Sequence, residues 1–206
     1  LAISPGQLDD FNTGTNLGWG GGGAQGAQTP NAQTPDGGPD GAGDGYLVVD
    51  ADAFHLGAVN QAQWTGDYLA AGVTGIEFDA LSTGPDDVAF RAVLFGPSGM
   101  FASSDLVPIA TGGGWQHIAI SLAPGDLIHV TGGTTPDGTG DPLDTLGDVS
   151  TLLIRNDTAV PTPSGFHPPH ITANAGLDNI HAVPEPATAL LLLTLTSAAL
   201  TRRRSA

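Results

Sequence analysis

The apolar positions of this chain fall in short runs, and the clearest of these alternate. In Gly75-Ile76-Glu77-Phe78-Asp79-Ala80-Leu81, the side chains of Ile76, Phe78 and Ala80 share one face and Glu77 and Asp79 the other. A two-residue period of this kind predicts a strand buried on one side. Residues 115–122 repeat it, with Ile118, Ile120 and Leu122 inward and His117 and Ser121 outward. Residues 89–95 are apolar on both faces except at Arg91, as a central strand of a layered fold would be. Residues 45–50, 152–155 and 177–182 supply further short apolar runs. Between the runs lie turn signals: Gly84-Pro85-Asp86, Gly96-Pro97-Ser98-Gly99, Ala123-Pro124-Gly125-Asp126 and Pro136-Asp137-Gly138. No segment before residue 183 has helical periodicity. The pattern predicts an all-β fold over residues 1–182, an antiparallel β-sandwich (jelly roll), followed by a short C-terminal hydrophobic helix.

Composition agrees with many short strands. Glycine (31) and proline (16) make up nearly a quarter of the 206 residues, while 40% apolar residues can still fill a core. Residues 1–183 hold 20 acidic residues against Arg91 and Arg155, a net formal charge of −18. Such a domain repels phosphate backbones, which excludes nucleic acid as a partner. Aspartate far outnumbers glutamate, and its short side chain suits turns and oxygen-ligated cation sites. The absence of cysteine removes disulfides, thiol nucleophiles and thiolate metal sites. The chain opens at Leu1 with neither a basic n-region nor an apolar h-region, so if the protein is exported its signal peptide is either already removed or outside this sequence.

The composition changes abruptly at Val183. Val183-Pro184-Glu185-Pro186 precedes an uncharged run of 14 residues, 187–200, which is followed by Thr201 and Arg202-Arg203-Arg204. As a helix the run would reach about 21 Å, short of the ~30 Å hydrocarbon core of a bilayer. It carries no polar stripe of the kind a core helix shows. The triplet, the apolar run and the arginine cluster, in that order, resemble the PEP-CTERM sorting signal of Gram-negative bacteria. The resemblance implies a sorting tail over residues 183–206 and a sorting role for Pro184, Glu185, Pro186, Arg202, Arg203 and Arg204. It also implies processing by an exosortase, anchoring in the inner membrane through the C-terminal helix beforehand, and delivery to the cell surface or an exopolysaccharide matrix.

A second resemblance spans residues 1–182. Asp10-Phe11 with Leu17-Gly18-Trp19, Trp115-Gln116-His117-Ile118 with Ile120-Ser121-Leu122, and the closing Leu177-Asp178-Asn179-Ile180 are similar to the galactose-binding-like jelly rolls of carbohydrate-binding modules. That family often holds a structural calcium through an acid of the last strand. The resemblance implies this role for Asp178, with Asp10 and Asp44 as companions.

Other constellations carry two readings each. Residues 18–45 contain 11 glycines, and within them Asp36, Asp40 and Asp44 recur every four residues; the segment is either a solvated loop or folds around a hard cation. Trp19, Trp64, Trp115, Tyr46 and Tyr68 are candidates both for the core and for a sugar-stacking platform. Trp64 and Tyr68, in the polar stretch Trp64-Thr65-Gly66-Asp67-Tyr68, are the carbohydrate-binding pair expected from sequence. His167-Pro168-Pro169-His170 reads as a surface loop, because the prolines splay the two rings. No Gly-x-Ser-x-Gly elbow occurs, and Ser103-Ser104-Asp105 has no identifiable base. The expectation is a non-enzymatic, exported matrix protein that associates with exopolysaccharide and is stabilised by calcium. A structural adhesion protein without a sugar site and a calcium-dependent polysaccharide hydrolase are the alternatives.

Overall fold

The computed structural model describes residues 2–21, 32–50, 55–130, 140–158 and 171–185. Its strands are β1 (Leu8–Asp9), β2 (Trp19–Gly21), β3 (Ala32–Thr34), β4 (Tyr46–Asp50), β5 (Gly57–Asn60), β6 (Val73–Ser82), β7 (Val88–Gly96), β8 (Gly99–Ser103), β9 (Val107–Ile109), β10 (Gln116–Ser121), β11 (Leu127–Val130), β12 (Thr151–Asn156) and β13 (Asn174–Pro184). They form two sheets. Sheet A runs β10-β6-β13-β4-β3 with β1 beside β13, and sheet B runs β11-β8-β7-β12-β5-β2 with β9 beside β7. Every strand pair is antiparallel.

The expected alternation builds the core. Ile76, Phe78 and Ala80 of β6 and Ile118 and Ile120 of β10 are buried on the inner face of sheet A. Phe90, Ala92 and Leu94 of β7 with Leu152 and Ile154 of β12 are buried on the facing side of sheet B. Phe78 and Phe90 meet edge to face across the two sheets, with centroids 5.9 Å apart and planes at 82°. Each such side chain contributes about 1.5–3 kcal/mol by leaving water, and the aromatic geometry adds about 0.5–1.5 kcal/mol. The outer positions of β6, Glu77 and Asp79, face away from this layer.

Two features of β13 position the site described below. Its pairing with β6 shifts register between Asp178 and His181, and Asn179 adopts φ 51° within this bulge. The extra residue lets Leu177, Ile180 and Ala182 all remain buried in the core. The strand also continues past residue 182: Val183 pairs with Gly75 and Pro184 with Val73, and Glu185 N–H donates to the Gly72 carbonyl at 2.8 Å.

The expected C-terminal hydrophobic helix is corrected. Among the described residues the α-helix is α1, Pro142–Leu146, mid-chain, begun by Asp141 accepting from Leu143 N–H. No helix among them is long and apolar enough to cross a membrane. Pro186, the apolar run 187–200 and Arg202–Arg204 lie outside the described residues. So do the Pro136-Asp137-Gly138 turn and the His167-Pro168-Pro169-His170 segment.

Candidate functional site

The three acids expected to ligate calcium are drawn toward one region but do not form a metal centre. Asp178 is fully buried at the bulge of β13 and Asp44 is 9% exposed. Each acid is engaged by a nearby backbone amide: Asp10 Oδ1 by Asn12 N–H at 3.2 Å, Asp44 Oδ2 by Asp40 N–H at 2.8 Å, and Asp178 Oδ1 by Asn179 N–H at 2.7 Å. The Asp10 bond has the spacing of an Asx turn, Asp44 closes the loop from Asp40, and Asp178 braces the bulge of β13. No group of three or more His, Cys, Asp or Glu among the described residues is arranged to hold a metal ion. The expected structural calcium is therefore corrected. Burial raises the Asp178 carboxyl to about pKa 7; the Asn179 N–H opposes this, while Asp44, Asp79 and Asp10 reinforce it.

Trp64 and Tyr68, the candidate carbohydrate-binding pair, are both fully buried. Trp64 packs on Trp19 with centroids 5.9 Å apart. Both indoles donate to the same oxygen, Asp9 Oδ2, at 2.7 Å from Trp64 and 2.8 Å from Trp19, and Gln63 Nε2 donates to it at 3.0 Å. Tyr68 Oη donates to the Trp64 carbonyl at 3.0 Å, and burial pushes its phenol far above the usual range. The pair is part of the core, so no stacking platform forms at this place.

The outer faces of the two sheets differ. On sheet B, Val59, Val93, Ala102, Val130 and Leu153 are buried in a second apolar cluster. Beside them Arg91 and Arg155 lie opposite each other on β7 and β12, 2% and 9% exposed. Arg91 Nη1 donates to the carbonyls of Ser103, Ser104 and Asp105, and its Nε stands 3.7 Å from Asp157 Oδ2. Burial lowers both guanidinium pKa values, that of Arg155 to about 10, against the opposing field of Asp157. The only arginines of residues 1–183 are therefore enclosed. Ser103, the candidate nucleophile weighed in sequence, is also buried, and its Oγ donates to the Asp105 carbonyl.

Sheet A keeps an open outer face. Tyr46 and Trp115, both half-buried, meet edge to face with centroids 5.1 Å apart and planes at 79°. Trp115 Nε1 donates to the Gly37 carbonyl at 3.0 Å, which pins the indole down. Both rings lie over Gly176 of β13. A Cβ there would stand 2.6 Å from Trp115 Cη2 and 3.0 Å from the Tyr46 ring. A row of polar groups continues along β6 and β10. His117 Nδ1 is 3.2 Å from Asp79 Oδ1, and Asn179 Nδ2 donates to Asp79 Oδ2 at 2.9 Å. Glu77 Oε2 lies 3.9 Å from His117 Nε2 and 3.8 Å from His181 Nδ1. Glu77 is 36% exposed and His117 61%. The sequence pointed to Tyr46 and Trp115 only as members of the aromatic set. The small residue at 176 was the available signal, and it acquires meaning only once β13 is known to lie between the strands that carry the two rings.

An exo-β-agarase matches with a TM-score of 0.59 at 14% identity, over 89% of this chain and 25% of that one. The chain thus spans about a quarter of the agarase's length. A family 11 carbohydrate-binding module from Clostridium thermocellum, in complex with a β-1,3-1,4-mixed-linked tetrasaccharide, matches with a TM-score of 0.52 at 16% identity, over 88% of this chain and 97% of that one. The L4b domain of human laminin α2 matches at 0.52 and 12% identity, over 81% and 90%. No curated protein sequence matches the chain. At these identities the likeness is one of fold, and the class it defines is the β-sandwich that carbohydrate-binding modules share. The PEP-CTERM protein-sorting motif matches residues 182–205. The chain thus carries a PEP-CTERM protein-sorting motif behind a β-sandwich similar in fold to a family 11 carbohydrate-binding module. The expected inner-membrane anchor and membrane partner are corrected with the helix: no described helix can cross a bilayer.

Proposed function

We propose that this protein is a non-enzymatic, surface-sorted component of an extracellular matrix that associates with exopolysaccharide, its tail being the substrate of an exosortase. The observation that carries the reading is the Tyr46–Trp115 pair, lying on an open sheet face and supported from below by Gly176. Aromatic faces pack against the C–H faces of pyranose rings, and carboxylate, amide and imidazole groups at the rim bind hydroxyls. Glu77, Asp79, His117, His181 and Asn179 supply that rim. The fold common to carbohydrate-binding modules supports the same reading, as does the sorting motif at residues 182–205.

The test is retention of the protein on purified matrix exopolysaccharide, measured for the native chain and for Trp115→Ala. Loss of one ring of the platform is expected to weaken binding about tenfold. Equal retention of both proteins would overturn the platform.

A further inference from the structure

We propose that the outer face of sheet A takes a polysaccharide bearing free amino groups, with Tyr46 and Trp115 stacking on the sugar and Asp79 and Glu77 receiving its ammonium groups. This rests on the reading of the face as a sugar platform and adds the class of sugar. The first observation is spatial order. Trp115 lies two residues before His117, which pairs with Asp79 across β10 and β6, and Glu77 is two residues further along β6. Each such step advances about 7 Å along the strand, so the rings and the two carboxylates form one line on one face.

The second observation is charge. No lysine exists in the chain, and both arginines of residues 1–183 are buried on the other sheet, so no fixed cation among the described residues faces this line. A uronate or sulfated chain would meet two carboxylates here, in a domain of net −18. A neutral chain would engage them only through hydroxyl hydrogen bonds, without a complementary charge. An ammonium group on the sugar complements it through charge-assisted hydrogen bonds, which are roughly twice as strong as neutral ones. The groups that face Asp79 and Glu77 are His117, His181 and Asn179, and the distances leave room for this role. Asp79 is braced by Asn179 and His117, while the nearest ring nitrogens to Glu77 Oε2 stand beyond hydrogen-bond reach, at 3.8 and 3.9 Å.

The experiment compares a glucosamine oligosaccharide with its fully N-acetylated counterpart by titration calorimetry of the full chain, at low salt and with the amine protonated. The amine form is expected to bind about tenfold more tightly, and added salt is expected to erase the difference. In the double variant Glu77→Gln, Asp79→Asn, the amine form should fall to the level of the acetylated one. Trp115→Ala should weaken binding of both forms about tenfold. Thermal midpoints establish that each variant is folded. Equal affinity for the two oligosaccharides, or a preference that survives the double variant, would overturn the inference and leave the platform standing. Absence of binding to either sugar, or binding indifferent to Trp115→Ala, would overturn both.

Discussion

Gly176 of β13 lies directly beneath Trp115, close enough that a single added methyl would stand 2.6 Å from the indole Cη2. The height and tilt of the ring are therefore set by the absence of a side chain. Gly176→Ala is expected to lift Trp115 and weaken the bond from its Nε1 to Gly37, with little effect on the core, because residue 176 faces outward. Exopolysaccharide retention should drop by a factor approaching that of Trp115→Ala, while the thermal midpoint changes little. A large loss of stability with unchanged retention would contradict this account of the ring.

The Asp9 carboxylate is the polar anchor of the aromatic core, since one oxygen accepts from Trp19, Trp64 and Gln63. Asp9→Ala leaves two buried indole N–H groups without an acceptor. A stranded buried donor costs about 1–3 kcal/mol, so a loss of about 3 kcal/mol is expected in chemical denaturation. A change under about 1 kcal/mol would mean that the indoles find other acceptors.

Asp178 makes stability depend on pH in an unusual direction. Its folded-state pKa of about 7 lies above the ordinary 3.8, so the folded protein holds this proton more tightly than the unfolded chain. The contribution is fully present below about pH 4 and is lost as pH rises through 7, with a slope of at most about 1.4 kcal/mol per pH unit. Asp178→Asn keeps an acceptor for Asn179 N–H and removes the titration. The variant is expected to match the native protein in acid and to exceed it in stability at neutral pH. Parallel stability curves from pH 4 to 8 would refute the assignment.

On sheet B, Asp157 balances two enclosed guanidinium groups, with its Oδ2 3.7 Å from Arg91 Nε. Removing one partner of a buried ion pair costs about 3–5 kcal/mol, because the remaining charge stays out of water. Asp157→Asn should lose stability on that scale and leave sugar binding on sheet A unchanged after correction for the folded fraction. Reduced binding by the folded protein would link the two faces in a way this geometry does not provide.

The long strands were legible in the sequence because one buried face imposes a two-residue period. Residues 75–81, 89–95 and 115–122 lie within or around β6, β7 and β10, with Ile76, Phe78, Ile118 and Ile120 inward. Gly57–Asn60, Gly99–Ser103 and Leu127–Val130 carried too few alternating positions to be read, and the pairing of neighbours makes them strands. The Pro-Glu-Pro triplet and the charge of the domain were equally local, and could be read without coordinates.

Which aromatics face water was decided by tertiary structure. Trp64-Thr65-Gly66-Asp67-Tyr68 looks polar along the chain, yet Trp64 is drawn inward by a carboxylate 55 residues away. Trp115 and Tyr46 remain outside because Gly176, distant from both in sequence, lets them lie on the sheet. The acids divide in the same way. Their number was plain from composition, but the backbone amides that engage Asp10, Asp44 and Asp178 could be found only in the fold. Periodicity reports which face of a strand is buried, because it is a property of consecutive residues. The partner waiting on either face is set by strands far apart in the chain, and only their packing determines it.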